Sequence, residues 1–228
     1  MTESGDSGFD PQRHGLHFKN RFPGLDIVGE YNNSLGDLAG RLTGSAGVWE
    51  GWGLCGGMAW EALDRFYADE PVAETTEAPV RDSDLFRRLV RRQYDTFYGL
   101  RLPLECIQWQ SRSENKQWWD PRRTIRQLTL DQWPMVKGQI DAGHPASLTL
   151  IRTAAAPWDN HQVLGVDYTV DDGEAVIGLY DPNHPDAKPT ITLDLDGPDA
   201  GRAIQSTGER LRGLFVWPYD RVRVQTPR

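Results

Sequence analysis

Asn160-His161-Gln162-Val163-Leu164-Gly165-Val166-Asp167-Tyr168 runs on through Asp171-Asp172-Gly173 to Gly178-Leu179-Tyr180-Asp181-Pro182-Asn183. Residues 162–170 and 175–180 are rich in apolar and β-branched side chains, and Asp-Asp-Gly between them is turn chemistry, so the stretch predicts a β-hairpin. A turn centred on Asp172 sets His161 opposite Asn183 and Val163 opposite Asp181. Side chains alternate along a strand, so His161, Asp181 and Asn183 then project from one face. Opposed and diagonal neighbours in an antiparallel pair lie within roughly 5–8 Å. The imidazole thus acquires a carboxylate or an amide neighbour through local chain geometry. A slip of one residue would destroy that parity, and Pro182 interrupts the ladder at the strand end.

Outward from this hairpin, residues 146–152, 190–195, 214–217 and 221–224 are further short strand candidates. Upstream the pattern is helical. Leu54, Met58, Ala59, Ala62, Leu63, Phe66 and Tyr67 recur at a helical period across 54–67. A second helix is predicted from Asp82 or Ser83 to about Tyr98, and a third from Asp131 to Gly143 with Pro134 in its first turn. Residues 69–81 read as a loop, 29–51 as glycine-rich turn material, and 105–128 as an irregular insertion. Phe18 and Phe22 would dock a short extended segment, after a flexible lead-in over 1–16. Helices first and an antiparallel sheet after is an α+β layout. The expectation is one domain over 17–228, with a helical half of about 17–143 and a β half of about 144–228.

The chemistry centres on Cys55, in Trp52-Gly53-Leu54-Cys55-Gly56-Gly57-Met58, where small residues open into the first helix. A helix N-terminus offers unpaired N–H groups and partial positive charge, both of which favour thiolate over thiol. A cysteine, a later histidine and a later Asp or Asn are the parts of nucleophilic acyl chemistry. The other cysteine, Cys106, reads as a small buried hydrophobe.

Composition narrows the partners. The 228 residues carry a net charge of −8, which argues against nucleic acid or an anionic membrane. No apolar run approaches the ~20 residues of a membrane span, and the polar, acidic N-terminus lacks a signal-peptide pattern. A cytoplasmic protein at synthesis is expected, with export lacking a cleaved signal left open. Two cysteines form no metal-binding CxxC pair, and neither metal nor organic cofactor is expected. Arg87-Arg88, Arg91-Arg92 and Arg122-Arg123 read as solvated faces. Nine tryptophans imply a core or groove built from flat side chains; those within 109–133 would favour a peptide-like substrate if they lined a cleft.

The Cys-headed helix followed by Asn160-His161-Gln162-Val163-Leu164-Gly165-Val166-Asp167-Tyr168 and Gly178-Leu179-Tyr180-Asp181-Pro182-Asn183 resembles the papain-like cysteine peptidase superfamily. Ile140-Asp141-Ala142-Gly143-His144-Pro145-Ala146 adds a likeness to its bacterial double-glycine (bacteriocin-processing) peptidase-like group. The resemblance covers roughly residues 50–185. It implies a papain-like fold, a peptide or acyl substrate, Cys55 as nucleophile, His161 as general base and Asp181 as the orienting group. Asn183 is an alternative orienter by residue chemistry, since an amide can also fix the imidazole tautomer. One departure stands out. The family's oxyanion-hole Gln is missing, with Trp49 six residues before Cys55. Losing such a donor costs roughly 3 kcal/mol of transition-state stabilisation, and Trp52 Nε1 or Asn33 are candidate replacements. The expected function is a cysteine peptidase-like hydrolase acting on an amide or thioester. Two alternatives are an acyltransferase with the same triad and an inactive papain-like binding module.

Overall fold

The computed structural model describes residues 2–22, 53–72, 74–152 and 159–221. Within these residues, helices α1 (Pro11–His14), α2 (Cys55–Ala68), α3 (Asp84–Phe97), α4 (Arg101–Gln110) and α5 (Ile125–Asp141) accompany strands β1 (Glu3–Asp6), β2 (Ala146–Ile151), β3 (His161–Asp171), β4 (Glu174–Tyr180), β5 (Thr190–Asp194), β6 (Ala203–Gln205) and β7 (Gly213–Val216). This is the α+β class: after the N-terminal strand β1, the helices precede the other strands of an antiparallel sheet. The sheet runs β6-β5-β4-β3-β2-β7, and β1 pairs with β3 beside β2. No helix among the described residues is long and apolar enough to cross a membrane.

Local sequence explains most helix ends. Ser83 caps α3 by accepting from Phe86 N at 3.2 Å. Tyr98, left-handed at φ 44°, and Gly99, at φ 70°, then stop it. The third expected helix begins six residues earlier than predicted, at Ile125. Thr124 and Gln127 form a reciprocal capping box there, and Pro134 lies inside the helix rather than in its first turn. The expected irregular insertion at 105–128 is also corrected, because α4 occupies its start and α5 its end. The strand expected at 221–224 lies almost wholly outside the described residues; Arg221, which is described, is in no strand.

The lead-in is corrected too. Residues 3–6 form β1, paired Glu3↔Val170 through Asp6↔Asp167, and Phe9 is buried against Phe66 and Tyr180. Phe18 and Phe22 do dock as expected, packing edge to face with their centroids 6.4 Å apart.

Three apolar clusters hold the layers together. One lies between α2 and the sheet and contains Trp60, Leu63, Leu164, Val166 and Tyr180. A second fills the side covered by α5, around Val136, Ile140, Leu148, Val163 and Ile177. The third joins the Phe18–Phe22 segment to α2 and α3 through Leu54, Met58, Phe86 and Leu89. Close approach of α2 and α3 depends on Gly57, where a Cβ would meet the Leu89 carbonyl oxygen at 2.1 Å. Arg92, expected on a solvated face, is instead buried on α3 and paired with Asp64 on α2 at 2.7 Å.

Candidate active site

The β3–β4 hairpin differs from its predicted register in a way that decides the site. Its turn is the two-residue Asp172-Gly173, at φ 46° and 78°, so Asp171 pairs with Glu174 and Asp167 with Gly178. That is one residue away from a turn centred on Asp172. Continued to the strand end, this register would place Asp181 on the face opposite His161. A β-bulge intervenes: Val166 is an extra residue, after which Gly165 pairs with Leu179 and Leu164 with Tyr180. The bulged carbonyl is satisfied by Ser7, whose N–H and Oγ reach Val166 O at 3.0 and 2.7 Å. Beyond the bulge the predicted parity returns, and His161 and Asp181 share a face.

They meet. His161 Nε2 and Asp181 Oδ1 are 2.6 Å apart, with both residues buried. Asp181 Oδ1 also accepts from Asn183 N at 2.8 Å, and its Oδ2 accepts from Gln205 Nε2 at 3.1 Å. The turn after β4 therefore orients the carboxylate through an Asx-type hydrogen bond. Because Nε2 is committed to Asp181, Nδ1 is the imidazole nitrogen left for the thiol. Asn183 meets Asp181 through its backbone N–H, while its side-chain Oδ1 accepts from Asn20 Nδ2 at 3.1 Å.

Asn20 is the residue that sequence reading missed. Its Oδ1 accepts from Leu54 N at 2.5 Å, immediately before Cys55, and its own N–H reaches Pro182 O at 2.9 Å. One side chain therefore ties the start of α2 to the turn that carries Asp181. Gly53 lacks a Cβ where one would lie 2.2 Å from the Asn20 amide. Gln93 on α3 adds a second clamp, its Oε1 accepting from Gly57 N at 3.0 Å. The only sequence signal for Asn20 was its place between two docking phenylalanines.

Cys55 is partly exposed at the head of α2 and lies against His161. Burial alone would push its thiol up. The hydrogen bond and charge of His161, with the N–H groups of Gln162 and Gly56, outweigh that and hold it below the ordinary range. Burial likewise opposes charge on His161, yet the Asp181 carboxylate and the Cys55 sulfur raise the imidazole to about 9. Asp181, despite burial, is held below the usual carboxylate range by His161, the Asn183 N–H and Arg152. Together these shifts favour a thiolate–imidazolium pair. Cys106 behaves oppositely, with burial driving its thiol up to about 12 despite a contact from Asn160.

Cys55 and His161 line a cleft of about 290 Å³ together with Phe97, Leu102, Thr149 and Gln162. Trp118 and Trp119 are exposed and are not among its lining residues. Trp49, Trp52 and Asn33 lie outside the described residues. Among the described residues, Asp181, His184 and Glu209 are spaced to hold a metal ion. Their carboxylates are already engaged, Asp181 by His161 and Gln205, and Glu209 by Arg152 at 2.6 Å. Comparison with protein-family models, curated proteins and solved structures yields no match for this chain.

Proposed function

We propose that the protein is a cysteine-dependent hydrolase of papain-like type, acting on an amide or thioester carbonyl. The observation that carries this reading is the buried 2.6 Å His161–Asp181 contact beside a helix-heading cysteine in the same cleft. Cys55 Sγ attacks the carbonyl carbon, and His161 takes or holds the thiol proton and then delivers it to the leaving group. Asp181 fixes the ring and balances the imidazolium charge. Water, deprotonated by His161, then cleaves the thioester and restores the thiol. The Cys55 N–H, one of the unpaired donors of the first turn of α2, is the candidate to receive the negative charge that develops on the substrate oxygen.

The test is thiol reactivity. Iodoacetamide should alkylate Cys55 at neutral pH at least about tenfold faster than a free thiol of ordinary acidity, and Cys106 hardly at all. H161A should slow Cys55 by a similar factor. Equal slow labelling of both cysteines, rising only near the ordinary thiol pKa, would refute the reading.

A further inference from the structure

Cross-strand partners Thr149 and Gln162 face the cleft beneath the start of α2, and both are buried, at 1% and 5% exposure. Thr149 Oγ1 and both amide atoms of Gln162 have no hydrogen-bond partner, nor has Arg152 Nε. Four unpartnered polar atoms beside one cleft are unusual, because each orphaned group is costly when nothing satisfies it. The Gln162 amide lies directly against the residue after the nucleophile, where a Cβ on Gly56 would sit 1.7 Å from Oε1. The cleft is also lined by the apolar Phe97, Leu102 and Pro103.

We infer that this cleft takes a primary carboxamide on an aliphatic stem, as in a glutamine or asparagine side chain, and that the bond broken is its C–NH2 bond. This deepens the hydrolase reading and rests on it. The cleft, at about 290 Å³, is at the small end of ligand sites and suits one side chain. Among the described lining residues Arg152 is already neutralised by Glu209 at 2.6 Å and Asp159 adds a carboxylate, so an anionic head group is disfavoured and a neutral one fits. Gln162 offers a donor and an acceptor side by side, and a primary carboxamide presents the complementary pair along one edge. A trans peptide link shows its N–H and C=O on opposite edges and matches only one of them. Phe97 and Leu102 then cover the methylene stem.

The step balances without an added redox partner. Cys55 sulfur bonds to the carboxamide carbon, the C–N bond breaks, and the imidazolium proton leaves with nitrogen as ammonia. Water then splits the thioester, giving a carboxylic acid and the restored thiol.

The full chain should be incubated with N-acetylated glutaminyl and asparaginyl peptides, and with the same peptides dimethylated on the side-chain amide nitrogen. Ammonia release and the mass change of amide-to-acid conversion are read together. Expected are Cys55-dependent ammonia and acid from the unmethylated peptides, little amide-to-acid conversion (with dimethylamine as the leaving group) from the methylated ones, and a fall of about tenfold or more in Q162L. Iodoacetamide labelling of Cys55 is followed in the same samples. Backbone cleavage without ammonia, or rapid Cys55 labelling without ammonia from either peptide, overturns the carboxamide assignment and leaves the thiol hydrolase standing. Absence of both ammonia and enhanced labelling overturns the two together.

Discussion

Replacing Asp181 by asparagine separates its charge from its shape. The carboxylate is fully buried and accepts from His161, Asn183 and Gln205. In D181N an amide oxygen still accepts at the Oδ1 position. The new NH2 group then faces Gln205, whose Oε1 is unpartnered and becomes available if that amide turns over. Stability should therefore fall by no more than about 2 kcal/mol, whereas D181A, which strands the buried partners, should cost about 3–5 kcal/mol. The charge is a different matter. The rise of His161 from 6.5 to about 9 corresponds to about 3 kcal/mol of preference for imidazolium, and Asp181 is the largest favourable contributor. The ion pair and the neutral pair differ by one proton moved from sulfur to imidazole, so that preference passes directly to the thiolate. Losing half of it lowers the ratio of ion pair to neutral pair about tenfold. Iodoacetamide rates at Cys55, measured by mass spectrometry across neutral pH, should drop in D181N by up to about that factor while urea unfolding shifts by no more than about 2 kcal/mol. An unchanged rate in a folded D181N protein would refute the charge-pair argument.

Turnover should decline as pH rises through about 9, because the raised His161 imidazolium, present below that value, is the leaving-group acid. Cys55 alkylation, which needs only thiolate, should continue on the same samples. G57A should destabilise the fold by about 1–3 kcal/mol in urea titrations, since its Cβ would strike the Leu89 carbonyl and push α2 from α3. R92M should cost about 3–5 kcal/mol by leaving Asp64 buried without its partner. Asp64 already has a carboxyl raised to about 6 by burial, so its charge costs stability above that pH and the cost eases on acidification. The R92M deficit should therefore be smaller at about pH 5 than at about pH 7.5.

Much of the architecture was legible because it is written in short-range patterns. The 3.6-residue apolar period placed α2 within a residue of its observed Cys55–Ala68, and Ser83 announced α3 by its capping chemistry. The start of α5 was misplaced because Pro134 read as a first-turn residue, while the Thr124–Gln127 capping box, ten residues ahead of it, governed instead. Strand β1 was illegible. Glu-Ser-Gly-Asp has no strand propensity, and only pairing with the exposed edge of β3 gives it a structure. Arg92 was misread because nothing local distinguishes it from its solvated neighbours Arg87 and Arg91. Its partner Asp64 lies on another helix.

By itself the sequence determined the residue types of the candidate site, the helix that begins at Cys55, and the alternation that could bring His161 and Asp181 to one side. Folding in three dimensions decided whether it would. A turn one residue shorter than assumed reversed the parity, and the Val166 bulge, held by Ser7 from the far N-terminus, reversed it again. Likewise Asn20 joins Leu54 to the Asp181 turn across long stretches of chain. Registers and clamps of this kind are set by hydrogen bonds between distant segments, so no local pattern encodes them.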